Sequence, residues 1–286
     1  MDFNDFFELY PLGKELGSVI SDLVDWLTVT AEPIFTLIKW PIEGVLDSSE
    51  ALLLAIPWPI IVLIFAAIGW YKGRAPMAAL AAVGFIIVGF LGYWDLTMTT
   101  LSMILTALVF CVVVGTPLGI LAARSDKIES VVRPVLDAMQ TIHPFVYLIP
   151  VVMFFGIGKV PGTIATVFFA LPPMVRLTNL GIRQVPHDVV EAGRAFGSND
   201  MQLLFDVQLP LALPTIMAGL NQTLMLALSM VVIVALIAGG GLGQEIYGAV
   251  SSMNIGRAVT SGLAVLVLAI MLDRLSQVKG KGTHAT

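Results

Sequence analysis

Apolar residues in this chain come in runs of about 20, separated by short polar stretches, and that pattern predicts a bundle of membrane-crossing helices. A helix rising ~1.5 Å per residue needs ~20 apolar residues to cross the hydrocarbon layer. Seven runs meet that need, near residues 51–71, 76–94, 98–122, 134–156, 160–180, 210–238 and 257–275. The first contains Pro57 and Pro59, which a membrane helix tolerates when its neighbours satisfy the freed carbonyls. Trp58, Trp70, Tyr71, Tyr93 and Trp94 lie near predicted ends, where aromatic belts form. Ahead of the runs, Leu16, Val19, Ile20, Leu23, Val24 and Leu27 recur at helical spacing, with Lys14, Glu15, Ser18, Asp22 and Asp25 on the opposite side. That predicts an amphipathic helix on the membrane surface or against the spans. Residues 33–46 keep Phe35, Ile38, Trp40 and Ile42 and are expected at the interface. The first fifty residues read as a packing appendage or as a regulatory or scaffolding arm.

Composition excludes a soluble globular protein. The chain is 57% hydrophobic and 12% charged, with a mean hydropathy of +0.92, where soluble chains average about 25% charged residues. One membrane domain fits 286 residues. The net charge of −5 comes mostly from the start, where ten acidic residues from Asp2 to Glu50 face only Lys14 and Lys39. No basic patch for nucleic acid is present, and the acidic start is unlike a signal peptide. Cys111, the one cysteine, sits inside an apolar run and is expected to be a small buried hydrophobe. If the N-terminus is outside, eleven of the fifteen lysines and arginines fall in cytoplasmic segments, as the positive-inside rule requires. The expected topology is therefore N-out and C-in, with residues 277–286 as a short cytoplasmic tail.

The polar stretch 191–210, EAGRAFGSNDMQLLFDVQLP, stands out against this background. Residues 188–196 read as a short helix, with Glu191 and Arg194 close enough to pair. Gly197 ends it, since glycine takes the left-handed C-cap conformation at no steric cost. A second short helix is expected over 200–208, and Pro210 suits the first turn of the following span. Small residues at Ala192, Gly193 and Ala195 permit close approach, Phe196 can anchor in an apolar pocket, and Glu191 can meet a basic group. The plain alternative is a solvated loop.

This stretch resembles the cytoplasmic coupling motif of ABC importer permeases: Glu-Ala-Ala, three residues, Gly, nine residues, Ile, one residue, Leu-Pro. Here it runs Glu191-Ala192-Gly193, Gly197, Val207, Leu209-Pro210, with Gly193 for alanine and Val207 for isoleucine. The continuation PLALPTIMAGLNQTLMLALSMVVIVALIAGGGLGQ is similar to the glycine betaine/proline branch of that family, and the resemblance covers roughly residues 96–275. It implies an all-α integral membrane protein of about seven transmembrane helices, with a type I ABC importer permease core over 96–276. Two accessory helices (51–95) and the N-terminal segment (1–50) precede that core. It also implies a bacterial cytoplasmic (inner) membrane location and ATPase docking through Glu191, Ala192, Gly193, Arg194, Ala195, Phe196, Gly197, Leu209 and Pro210. The implied partners are a second copy of the permease, two cytoplasmic ATPase subunits, an extracytoplasmic substrate-binding protein and membrane lipid. ATP and magnesium would be bound by the ATPase, leaving this chain without a cofactor and without enzymatic activity. The chain ends too soon for a fused binding domain, so the substrate-capturing component is expected to be a separate protein.

Remaining chemistry is sparse. His143, His187 and His284 are too scattered to pair, and no HExxH, GxSxG or GxxxxGK[ST] occurs. The run from Gly239 to Gly243 lacks a lysine and reads as a tight re-entry turn before a surface helix over 244–250. Polar groups inside spans either bond helix to helix or line a pathway. Gln140, Thr141 and His143 surround a kink before Pro144 and Pro150; Asn221, Gln222, Thr223 and Ser229 interrupt the sixth run. Arg176 and Asn179 are placed at the cytoplasmic mouth of the fifth. No cluster of tryptophans in the spans makes a cage for a quaternary ammonium, so recognition is assigned to the binding protein. The rival readings are an ion-coupled secondary transporter, with Asp137 and Asp273 as its carboxylates, and a non-transporting membrane scaffold.

Overall fold

The computed structural model describes residues 12–276 apart from Arg74, and every element among them is helical. In chain order these are α1 (Leu12–Thr30), α2 (Glu32–Ala55), α3 (Trp58–Gly73), α4 (Ala75–Phe90), α5 (Trp94–Arg124), α6 (Asp126–Thr141) and α7 (Pro144–Phe155). They continue with α8 (Lys159–Arg183), α9 (His187–Ala195), α10 (Asp200–Gln202), α11 (Leu209–Val234), α12 (Gly241–Ser251) and α13 (Ile255–Ser276). The predicted tail, 277–286, lies outside the described residues.

The expected count of about seven spans comes down to between four and six among the described residues. Among the described residues, four segments are long and apolar enough to cross a bilayer unaided: α5, α8, the continuous run Asp200–Ile237, and α13. The predicted span 51–71 is broken at Pro57, where α2 and α3 meet at 108°. The predicted span 134–156 is broken at Pro144, where α6 and α7 meet at 102°. The cause is local. A proline ring pushes the preceding residue out of the α region, and Ile56 (φ −76°, ψ 126°) and His143 (φ −64°, ψ 139°) are both extended. Helix α4, with 16 residues, reaches only ~24 Å at 1.5 Å per residue, short of the ~30 Å hydrocarbon core.

Helix α2 adds to the N-terminal picture. Residues 33–46 belong to one 24-residue helix that continues past residue 50. Its Ile42 and Leu46 are buried, and Phe35 stacks on Phe154 of α7 with ring centroids 4.4 Å apart. On α1, Leu16, Val19, Ile20 and Leu23 form the predicted apolar stripe but stay exposed.

At the centre stands α8, clasped between α5 and α11. Lipid tails are as apolar as leucine, so such helices are held by close backbone approach rather than by the hydrophobic effect. The glycines mark where that happens. A Cβ on Gly119 of α5 would lie 2.5 Å from the Thr178 Cβ of α8. One on Gly181 of α8 would lie 3.1 Å from the Ala212 carbonyl oxygen of α11, and one on Gly219 would lie 3.0 Å from the Leu177 Cβ. Cys111 is fully buried, as its setting predicts.

Candidate functional site

Residues 187–210 leave α8 at its Arg183 end and form a folded hairpin of short helices. Helix α9 ends in a complete Schellman motif: the Ser198 amide donates to the Gly193 carbonyl at 3.1 Å and the Gly197 amide to the Arg194 carbonyl at 2.9 Å. Gly197 has φ +84°, the left-handed conformation that such a cap requires. The chain restarts at Asn199, whose Oδ1 accepts from the amides of Met201 and Gln202 at 3.1 and 2.8 Å. The Gln202 side chain returns the bond to the Asn199 amide at 2.9 Å. This capping box was missed in the sequence reading, although the Asn199-x-x-Gln202 spacing signals it.

The expected helix 200–208 differs in form. Only Asp200–Gln202 is α-helical; Leu203–Gln208 is a π-helix that passes without a break into α11. Pro210 gives a physical reason. Its ring has no N–H to donate and would clash with the carbonyl four residues back; a wider π turn makes room. The Leu209 amide accordingly donates to the Leu204 carbonyl, five residues back.

The segment has an inner and an outer face. Leu203 and Leu204 are buried, and Leu204 and Leu209 join a core with Met174, Ile182, Ala212 and Ile216. Gly193 faces inward too, since a Cβ there would lie 2.8 Å from Leu203 Cδ1. Leu209 and Gly193 thus serve the segment's own seat. On the outer face Glu191, Ala192, Arg194, Ala195, Gly197 and Pro210 are exposed, and Phe196 is 91% exposed. Met201 and Phe205 are also exposed and extend this apolar surface. The expected Glu191–Arg194 pair does not form. Glu191 instead lies 3.3 Å from His187 Nδ1, one helical turn away, and Arg194 lies 3.8 Å from Asp200. Arg124 Nη2 donates to the Asp200 carbonyl at 2.9 Å and ties the hairpin to the end of α5.

Beside this hairpin, α6 is fastened to α8 by charge. Arg176 donates to Asp137 at 2.6 Å and to Gln140 at 2.5 Å. Arg183 donates to Asp126 (2.7 Å), to the Ala122 carbonyl (3.0 Å) and to Asn179 (2.9 Å), and lies 2.9 Å from Glu129. Asn179 donates to Glu129 at 3.2 Å. Arg183 is therefore a hub between three helices. Replacing it with methionine should lower stability by roughly 1–2 kcal/mol, discounted because its side chain is one-third exposed. A thermal melt of the purified chain in detergent checks this.

The predicted pathway residues scatter. Gln140 joins the Arg176 cluster. His143 caps α7, accepting from the Phe145 amide at 3.4 Å, and stacks on the Phe145 ring. Asn221 bonds across to α13, donating to Asp273 at 3.3 Å and accepting from Ser276; its role here is helix–helix. Gln222 and Ser229 are exposed, and the Ser229 hydroxyl donates back to the Met225 carbonyl at 3.0 Å. Thr223 is fully buried.

At the opposite end of α8, Lys159 Nζ lies 2.5 Å from Glu50 of α2, whose other oxygen accepts from Thr99 of α5 at 2.8 Å. The Glu50 side chain is 12% exposed. Composition alone hides this tie, because Glu50 reads as one more acid of the N-terminal segment. The glycine run packs alongside. Ala238, Gly240 and Gly241 all have positive φ, and α12 begins at Gly241, three residues before the predicted surface helix. Arg257 bonds both oxygens of Glu245 on α12 and holds that carboxyl below the usual carboxylate range.

Residues 115–281 match the family model described as "Binding-protein-dependent transport system inner membrane component". The chain is 48% identical over 270 residues to the glycine betaine/proline betaine transport system permease protein ProW of Escherichia coli K12, covering 94% of this chain and 76% of that protein. It is 45% identical over 262 residues to the glycine betaine transport system permease protein OpuAB of Bacillus subtilis 168, covering 92% and 93%. Among solved structures, an inward-facing crystal form of the MetNI methionine ABC transporter superposes with a TM-score of 0.55 at 26% identity, covering 62% of this chain and 88% of that one.

Proposed function

The chain belongs to the family of binding-protein-dependent transport system inner membrane components, and on that premise we propose that it is the permease subunit of an ATP-driven importer for glycine betaine or a related compatible solute. Proline, choline and trimethylamine oxide are the alternatives within that class. Two relatives named for glycine betaine, at 48% and 45% identity, support the substrate class.

One observation carries the coupling mechanism: Phe196 stands 91% exposed on a hairpin whose other face is buried. A mobile loop would absorb a push; this segment transmits one, because Leu203, Leu204 and Leu209 seat it on α8 and α11. Phe196, Ala192 and Ala195 fit a groove on a cytoplasmic ATPase, with Glu191, Arg194 and Gly197 around them. Two copies of the permease pair around one pathway, with two ATPases inside and one binding protein outside. Closure of the ATPase pair draws the two hairpins together and opens the pathway outward; hydrolysis in the ATPase resets it. ATP and magnesium belong to that partner. The N-terminus is outside and the C-terminus inside, in the cytoplasmic membrane of a bacterium. The ion-coupled alternative loses support, since Asp137 is engaged by Arg176 and Asp273 by Asn221.

The test is uptake of labelled glycine betaine in cells lacking their own osmolyte transporters, with the binding protein and ATPase co-expressed. Uptake should vanish when the ATPase is omitted. Uptake that persists without it would point to an ion-coupled transporter. An assembled complex that moves no betaine would leave the importer and redirect the search to the other solutes.

A further inference from the structure

The bend between α2 and α3 opens a cavity of about 560 Å³, closed on its far side by the end of α4 and the first turn of α5. Trp58, Phe90, Trp94, Leu54 and Ile86 are among the residues that line it, and Asp95 is the one charged residue there. Sequence reading finds no tryptophan cluster, because Trp58 and Trp94 stand 36 positions apart; the bend brings both to one cavity. The buried Phe85 backs Trp94, with ring centroids 5.9 Å apart, and packs in turn on Phe65 at 4.8 Å. Trp58 is 59% and Phe90 90% exposed. Asp95 has no hydrogen-bond or ion-pair partner among the described residues.

We propose that this cavity holds the ammonium headgroup of a phospholipid, of the choline or ethanolamine class. Aromatic faces carry negative quadrupole density and attract a cation, and an unpaired carboxylate beside them adds to that attraction and repels anions. The apolar lining of Leu54 and Ile86 and the exposed Phe90 suit acyl chain rather than water, which selects a lipid over a free cation. A transported solute with its own carboxylate is disfavoured by Asp95. An interfacial belt accounts for tryptophans at this depth, and the helix dipole accounts for an acid in a first turn. Neither accounts for both framing one cavity.

The experiment uses the full chain in nanodiscs, with Trp26, Trp40 and Trp70 changed to Phe so that only the two tryptophans of the cavity, Trp58 and Trp94, report. Acyl-brominated phosphatidylcholine is expected to quench this pair about threefold more than equally brominated phosphatidylglycerol, the scale of one exposed cation–π contact. Asp95→Asn should abolish the preference and Asp95→Glu should keep it; Asp95 is exposed, so both variants fold. Equal quenching by the two lipids in the Asp95 chain would overturn the proposal. Saturable quenching by tetramethylammonium in phosphatidylglycerol discs would place a free cation there and overturn the lipid assignment.

Discussion

Phe196→Asp is expected to abolish ATPase-driven uptake while the permease remains folded and inserted. The side chain is 91% exposed, so the change removes almost no internal packing, and surface substitutions of that kind shift stability by only about 0.5 kcal/mol. An exposed phenylalanine that fills a partner's pocket behaves as a hot spot, worth roughly 2–4 kcal/mol, or about 30- to 1000-fold in affinity. Burying a carboxylate in that pocket adds a desolvation cost. Pull-down of the ATPase by the permease should therefore fail together with uptake, while the melting temperature of the isolated permease holds. Gly197→Asp should act in the same direction, because its φ of +84° disfavours any side chain by roughly 1–2 kcal/mol and its loss loosens the reversal behind Phe196. Full ATPase binding by the Phe196→Asp chain would remove α9 from the interface.

Two glycines on α12 should respond to alanine with opposite signs. A Cβ on Gly243 would sit 2.0 Å from the Val231 carbonyl oxygen and 2.8 Å from its carbon. That obstacle is backbone in the last turn of α11, so relief requires α12 to move away as a body. Such movement would pull the Leu242 amide from the Thr100 hydroxyl, which accepts it at 2.8 Å. Overpacking of this kind costs roughly 1–3 kcal/mol and more where backbone must shift. Gly243→Ala should lower the yield of monodisperse protein on size exclusion and lower the melting temperature. Gly248, five residues on, has nothing within 4 Å of its ideal Cβ, so Gly248→Ala should be neutral or stabilise by up to ~1 kcal/mol through helix propensity. Equal behaviour of the two variants would contradict the packing of α12 on α11.

Much of the 187–210 hairpin was legible in the sequence because its signals are local. Gly197 as a C-cap and the short helix before it rest on contacts within a few residues, and the Asn199-x-x-Gln202 box was there to be read. Which residues face outward was less legible. Gly193 and Leu209 share the motif with Phe196, yet Leu203 and the α8–α11 core take them inward. Asn221 reads as a polar group in a span; only the proximity of Asp273 and Ser276 makes it a bond between helices. Glu191 had two neighbours within helical reach, and spacing favoured Arg194, but Arg194 turns toward Asp200 across the reversal.

By itself the sequence determined that this chain belongs in a membrane, where its apolar runs lie, and which polar stretch interrupts them. Hydrophobicity and helix caps are properties of single residues and near neighbours, so they survive without a fold. The prolines at 57 and 144 break their helices locally, but tertiary structure decided how far the chain turns there, through more than 100°. It likewise decided that Glu50 closes on Lys159 and that Trp58, Trp94 and Asp95 share one cavity. Those outcomes depend on which helices touch, and that is settled by backbone approach at glycines scattered along α5, α8 and α11, a shape complementarity no one-dimensional pattern encodes.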